Sequence, residues 1–202
     1  RQLHCVMYSR GTEFNRHERK NSNRKIKPLM QNYPSATEEL LPATHEELNL
    51  AILEKMEAVA LENLKNFNFV AALQTYQRCL DHYFESVDRN PDHPDFAEYF
   101  TKILKILNDH ALKLLKEERV EIAKLILEKC EEFTNGERYG LFPVPRNITL
   151  NHLACCYRRM GMLDVAMEFL QMALEFVSAN ERTETAGITH INISAVLSQM
   201  NK

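Results

Sequence analysis

Apolar residues recur along most of the chain at the three- and four-residue intervals that are typical of amphipathic helices. The first run begins near Thr44, which with Glu47 matches a capping box at a helix start. Its predicted apolar face consists of Leu48, Ile52, Met56, Val59 and Ala60. Later runs predict helices at about 69–87, at 94–115, from a turn at 116–118 to 133, and at 147–160, 163–178 and 184–200.

Strand signals are poor, because no stretch sustains an alternation of apolar and polar residues. Proline and glycine separate the helical runs. Asn135-Gly136 predicts a left-handed cap, and Pro143 and Pro145 predict a loop before the helix at 147. The pattern therefore predicts an all-α fold of about seven helices arranged in antiparallel pairs.

Small residues repeat along these helices. Ala60, Ala111 and Ala154 each lie on the first helix of a predicted pair, 51 and 43 residues apart, and Ser194 follows 40 residues later. Twelve residues after the three alanines come Ala72, Ala123 and Ala166. Small side chains allow two helices to pack closely, and a helix pair that leaves an apolar face open needs another pair to cover it.

The clearest copy, Leu153-Ala154-x-x-Tyr157-x-x-x-Gly161-x-x-x-x-Ala166-x-x-x-Leu170-x-x-Ala173, resembles a tetratricopeptide repeat. It has Leu150 where the family has Trp, and Ser178 where the family has a closing Pro. The other copies place Phe67, Glu118 and Asn201 at the turn position that is usually Gly. The resemblance implies a solenoid of antiparallel helix pairs over residues 46–202, truncated within its last repeat, and a native protein that continues or is capped by a partner.

In this family the first helices line a concave groove that binds peptides. The resemblance implies three sets of groove residues: Lys105, Asn108, Leu112 and Lys116; Asn151, Cys155, Arg158 and Arg159; Ile188, Ile191, Ala195 and Gln199. Asparagine amides there would bond a peptide backbone, and the lysines and arginines suit an acidic segment. The alternative is that Arg158 and Arg159 are solvated residues at a helix end. Asp109 and His152 depart from the family's carboxylate clamp, so binding of chaperone tails is not predicted.

Charge divides the chain into two parts. Residues 1–28 carry a net charge of +6 within a chain whose total is −3. Residues 1–45 have weak periodicity and several prolines, which predicts an irregular basic tail. The tail is either an anchor on an acidic surface or a solvated linker. Its candidate anchor residues are Arg16, Arg19, Lys20, Arg24, Lys25 and Lys27.

Motifs for catalysis or cofactor binding are missing from the sequence. It has no glycine-rich phosphate loop, no nucleophile elbow, and no His-x-x-x-His or Cys-x-x-Cys spacing. His110, His152 and His190 lie on successive first helices, where packing or groove lining is favoured over a metal site. Five cysteines without a disulfide framework indicate packing residues in a reducing compartment. We expect no cofactor and no bound metal.

Three functions remain open at this level. The first is a protein–protein interaction scaffold that presents its groove to a peptide or protein partner. The second is a structural component of a microtubule or axoneme, with tubulin as a candidate partner of the tail. An enzyme with an unrecognised site is the third and least favoured. The basic tail lacks regular aromatic interleaving, which argues against nucleic acid, and no apolar run is long enough to span a membrane. The expected location is cytoplasmic, with a cytoskeletal or ciliary alternative.

Overall fold

The structure is a computed structural model that describes residues 45–176 and 184–201. Within these ranges the chain is all-helical, and an isolated β-bridge joins Gly136 to Gly140. The predicted helical class and the seven predicted helices are confirmed. The basic tail, Thr44 of the capping box and residues 177–183 lie outside the described ranges. The helices are α1 (His45–Lys65), α2 (Phe69–Ser86), α3 (Pro94–Lys116), α4 (Val120–Thr134), α5 (Pro143–Arg159), α6 (Leu163–Glu175) and α7 (Glu184–Met200).

Proline begins two of the helices. Pro94 and Pro143 each follow a residue with extended backbone and occupy the first helical position of α3 and α5. A proline there lacks only an amide hydrogen that would have no partner within the helix. The predicted loop through Pro143 and Pro145 is therefore wrong, because α5 begins four residues earlier than expected and buries Pro145 in its first turn.

Three turns between consecutive helices share one backbone geometry. Their central residues are left-handed, with φ of +60° at Phe67, +62° at Glu118 and +78° at Gly161. The next amide in each turn donates to the carbonyl five residues earlier: Asn68 to Asn63, Arg119 to Leu114, and Met162 to Tyr157. This bond is the longer of the two that define a Schellman motif. The alignment of Phe67 and Glu118 with Gly161 agrees with this shared geometry.

The small residues of the repeat are buried where the helices meet. Ala72, Ala123 and Ala166 follow the three turns, and each is 0% exposed. On the preceding helices Ala60, Ala111 and Ala154 are equally buried. Each helix packs against its neighbour in the chain, and α5 also contacts both α3 and α7. Since α5 lies between those two helices, side chains from all three meet along it.

The apolar face predicted for α1 is wrong in most of its members. Leu48 and Val59 are each 54% exposed, whereas Leu53, Ala60 and Leu64 face the core. The periodicity of α1 is compatible with either of two stripes about a third of a turn apart. Contact with α2 selects the stripe that contains Ala60.

An aromatic cluster holds the α4–α5 connection against α2 and α3. Phe100 stacks on Phe142 with ring centroids 4.3 Å apart, and Tyr139 packs edge-on against Phe84. The hydroxyl of Tyr139 donates to Asp81 at 2.5 Å, and Arg138 pairs with the same carboxylate at 2.8 Å. These contacts fix the start of α5 beside α3.

Candidate binding groove

A cavity of about 580 Å³ lies along α3, α5 and the first turn of α7. This volume falls in the range that is usual for ligand-binding clefts. We call this cavity the groove. Its lining consists of Thr101, Leu104, Lys105, Asn108, Asp109, Leu112, Lys113 and Lys116 from α3, Val144, Pro145, Ile148 and His152 from α5, and Glu184 from α7.

The floor of the groove is apolar. Leu104 and Leu112 are buried in α3, and Pro145 is buried in the first turn of α5. Ile148 is half-buried, while Val144 is 59% exposed. An apolar side chain placed on this surface would be removed from water, at roughly 25 cal/mol per Å² of buried apolar area.

Charged side chains form the rim of the groove. Lys105 and Asp109 are one helical turn apart and form an ion pair, with Nζ and Oδ2 2.7 Å apart. Lys113 and Lys116 are exposed and have no ion-pair partner among residues 45–176 and 184–201. Glu184 is exposed at the start of α7 and likewise forms no ion pair within the described part of the chain. Within the described part of the chain, Lys113, Lys116 and Glu184 are therefore the rim charges that have no ion-pair partner.

Asn108 joins α3 to α5 beneath the rim. Its amide nitrogen donates to the Leu104 carbonyl at 2.9 Å and to the Thr149 hydroxyl at 3.1 Å. Its side-chain oxygen lies 2.8 Å from Nδ1 of His152. Both amide hydrogens of Asn108 are used within the fold, so it holds the helices together instead of offering donors to a peptide.

The same arrangement recurs between α5 and α7. Asn151 donates to the hydroxyl of Thr189 at 2.8 Å, and Asn192 donates to the side-chain oxygen of Asn151 at 3.0 Å. Thr189 and Asn192 lie 40 residues after Thr149 and His152, so each asparagine meets a Thr-x-x-His or Thr-x-x-Asn pair on the next helix. We call these two sets of hydrogen bonds the asparagine ladder. All six members of the ladder are at most 4% exposed and lie between helices.

Burial holds His152 in its neutral form. It lowers the pKa of the imidazole to about 4, although the nearby carboxylate of Asp109 opposes the shift. A neutral imidazole has one donor nitrogen, and since Asn108 presents its oxygen, Nδ1 is assigned as the donor.

The groove residues predicted on α3 come together in the structure. Lys105, Asn108, Leu112 and Lys116 all line the cavity. Lys105 is neutralised by Asp109, and Asn108 is engaged in the asparagine ladder. Lys116 is the predicted cation that stays available to a partner.

The residues predicted on α5 lie elsewhere. Asn151 is buried against α7, and Cys155 is buried and disulfide-bonded, so the expectation of unpaired cysteines does not hold for Cys155. Arg158 is 8% exposed, and burial together with the neighbouring Arg159 lowers its pKa. Arg159 donates to the Leu115 carbonyl at the end of α3. The interpretation of both arginines as solvated ends does not hold for Arg158, which is buried.

The remaining predicted positions do not line the groove. Ala195 is buried, whereas Ile191 is 50% exposed. Ile188 is half-buried and Gln199 is exposed. The six anchor residues of the tail, from Arg16 to Lys27, lie outside the described ranges, so the anchoring hypothesis stays a prediction.

Sequence reasoning missed the α5 side of the groove. The sequence pattern predicts a loop through Pro143 and Pro145 and gives Ile148 no role in the groove. The signal was present, because the Pro143 start places Val144, Ile148 and His152 at four-residue intervals on one face of α5. Lys113 and Glu184 carried no sequence signal for this site.

Ligand sets for a metal are not found among residues 45–176 and 184–201. Cys79 and Cys156 are free and buried, and burial raises the pKa of the first to about 11 and of the second to about 12. Such thiols stay protonated at neutral pH and are poor nucleophiles. None of the described helices is both long and apolar enough to cross a bilayer. Comparison with known protein families, with curated proteins and with solved structures finds no match for this chain.

Proposed function

We propose that this chain is a tetratricopeptide-type helical repeat protein that acts as a protein–protein interaction scaffold by holding a peptide segment of a partner in the groove. The three turns with one left-handed geometry support the repeat. In this proposal α1–α2, α3–α4 and α5–α6 are antiparallel pairs that stack as a solenoid, and α7 begins a fourth pair. The asparagine ladder then holds the first helices of successive pairs in register.

The observation that carries the proposal is the composition of the groove. Its floor is apolar, through Leu104, Leu112 and Ile148, and its rim bears unpaired charge at Lys113 and Lys116. Apolar contacts supply affinity for a peptide, and rim charges supply its orientation and specificity. His152 also lines the groove, but its Nδ1 is engaged by Asn108 and its pKa is about 4. The geometry therefore supports binding more directly than acid–base catalysis.

Selection from a random peptide library on the chain of residues 1–202 tests this function. Affinities of the selected peptides are then measured by fluorescence anisotropy on two variants. Val144→Arg places a long cation on the exposed edge of the groove floor. Leu125→Arg makes the same change at a 42% exposed position of α4 that does not line the groove.

We expect Val144→Arg to weaken the selected peptides at least about tenfold, which corresponds to about 1.4 kcal/mol. Leu125→Arg should leave the affinity unchanged. Peptides that bind both variants as tightly as the parent chain would place binding outside the groove, and a selection that enriches no peptide would count against the scaffold function itself.

A further inference from the structure

The charges on the groove rim are separated along its length. Asn108 on α3 contacts Thr149 on α5, and Leu115 near the end of α3 contacts Arg159 near the end of α5, so the two helices run in the same direction. Thr189 on α7 lies beside Asn151 on α5, which places Glu184 towards the beginning of all three helices. Lys113 and Lys116 lie near the end of α3.

The charged side chains in the middle of the groove neutralise each other. Lys105 and Asp109 neutralise each other at 2.7 Å. Their mutual pairing leaves a cationic end at Lys113 and Lys116 and an anionic end at Glu184, with Leu104, Leu112 and Ile148 between them. We call these the lysine end and the glutamate end.

From this arrangement we infer that the groove selects a bipolar peptide: a short apolar segment with acidic residues at one end and basic residues at the other. This inference rests on the proposed peptide-binding function and specifies its partner. The acidic residues would pair with the lysine end and the basic residues with the glutamate end. A uniformly acidic segment would instead meet repulsion from Glu184, and a uniformly basic segment would meet repulsion from Lys113 and Lys116.

The length of the groove sets the spacing of the two charged ends. Lys113 and Lys116 lie nine and twelve residues beyond Leu104 on α3. At about 1.5 Å of rise per residue, the two lysines lie roughly 14–18 Å beyond Leu104 along the axis of α3, which sets the scale of the separation between the charged ends. An extended peptide advances about 3.3 Å per residue, so about five residues separate the acidic and basic groups of a matching ligand.

Synthetic peptides with one apolar core of five residues test the charge pattern. Two bipolar peptides carry two glutamates before the core and two lysines after it, or the reverse, since the groove does not dictate chain direction. Three controls carry glutamate at both ends, lysine at both ends, or glutamine at both ends. Binding to the chain of residues 1–202 is measured by fluorescence anisotropy at low and at high salt.

One of the two bipolar peptides should bind about tenfold more tightly than any control peptide at low salt. The difference should shrink at high salt, because exposed charges are screened. Tightest binding by the acidic peptide would overturn the inference while leaving peptide binding in the groove intact. Absence of binding by all five peptides, including those with the neutral ends, would contradict this ligand class, and the library selection would then decide whether the groove binds peptides at all.

Charge-reversal variants give a gain of binding that misfolding cannot produce. Lys113→Glu/Lys116→Glu should weaken the bipolar peptide about tenfold and strengthen the basic peptide. Glu184→Lys should weaken the bipolar peptide and strengthen the acidic peptide. Lys55→Glu/Lys65→Glu makes the same net charge change as the first variant at two exposed positions of α1 outside the groove, and it should alter no preference. Equal changes in peptide affinity in this control and in the groove variants would show that net charge alone causes the effect, and would overturn the inference.

Discussion

The side-chain oxygen of Asn108 on α3 lies 2.8 Å from Nδ1 of His152 on α5, and both residues are buried beneath the groove. The oxygen of Asn151 on α5 meets Asn192 on α7 in the same way, at 3.0 Å. Each contact is paired with an asparagine-to-threonine hydrogen bond on the same asparagine. Buried polar groups that satisfy one another in this way favour one register of the helices over its alternatives.

Acidification should destabilise the protein through His152. Its pKa is about 4 in the folded state, against the ordinary 6.5 of an exposed histidine, so the unfolded chain binds its proton first as the pH falls. Above about pH 6.5 His152 is neutral in both states and does not lower the free energy of unfolding. As the pH drops towards 4, this group lowers the free energy of unfolding by at most about 3 kcal/mol. Urea denaturation between pH 4 and 7 measures the loss.

The variant His152→Asn isolates that effect. An asparagine there can donate to Asn108 as Asn192 donates to Asn151, and it does not titrate. The free energy of unfolding should depend less on pH in this variant than in the parent chain. His110, whose pKa is also lowered by burial, supplies a second and smaller contribution that His110→Gln removes. An unchanged pH profile in His152→Asn would show that other groups govern acid stability.

Substitutions that break the asparagine ladder should destabilise the fold more than a substitution at an exposed surface position. Asn108→Leu leaves the Thr149 hydroxyl and the His152 ring without their partner, and a buried polar group left unsatisfied costs about 1–3 kcal/mol. Chemical denaturation of Asn108→Leu, His152→Leu and the double variant forms a thermodynamic cycle. We expect the double variant to be less destabilised than the sum of the single ones by about 1–2 kcal/mol; strict additivity would mean that the two side chains are not coupled.

Two glycines should respond in opposite directions to the same substitution. Gly161 has φ of +78°, and a Cβ there would meet no atom within 4 Å. Gly161→Ala should therefore destabilise the fold by about 1 kcal/mol through backbone strain alone. Gly187 lies inside α7 without a positive φ, and its added Cβ also meets nothing. Gly187→Ala should stabilise the fold by about 0.5–1 kcal/mol. Thermal unfolding of both variants checks the signs, and a stabilised Gly161→Ala would refute the left-handed turn at Gly161.

Gly140 should tolerate alanine less well than Gly161. It combines φ of +85° with a close approach, since an added Cβ would lie 2.6 Å from the Cβ of Pro91. Gly140→Ala must strain the backbone and displace the α2–α3 connection, at a cost of about 2–4 kcal/mol. The denaturation midpoint of Gly140→Ala should fall well below that of Gly161→Ala. Equal midpoints would show that Pro91 moves aside freely.

The positions of the helices could be predicted from the sequence because they depend on local periodicity and on turn-forming residues. The runs that became α2, α3 and α7 have nearly the predicted bounds. The start of α5 was missed, because proline is read as a breaker unless the preceding residue is known to be extended, as Phe142 is here. On α1 the apolar stripe was misassigned, since periodicity does not show which stripe a neighbouring helix will cover.

Only the α3 side of the groove could be predicted from the sequence. The resemblance to the repeat family implied Lys105, Asn108, Leu112 and Lys116 on α3, but the corresponding positions on α5 are occupied by contacts with α7 or α3. Nothing in the sequence shows that Asn108 uses its side-chain amide on Thr149 and His152. The pairing of Lys105 with Asp109, by contrast, agrees with their spacing of four residues on α3. The contacts of Asn108 depend on which side chains the neighbouring helix brings within about 3.1 Å.

Local patterns in the sequence thus determined that the described chain is helical, where most of its helices lie, and that Phe67 and Glu118 occupy the turn position equivalent to Gly161. Propensity and periodicity act within a few residues, so a single sequence reveals them. Tertiary structure alone decided which polar residues are buried, which charges remain on the rim, and that α5 presents Val144, Ile148 and His152 to the groove. Those outcomes depend on contacts between residues about 40 positions apart, and packing of whole helices, rather than local pattern, selects them.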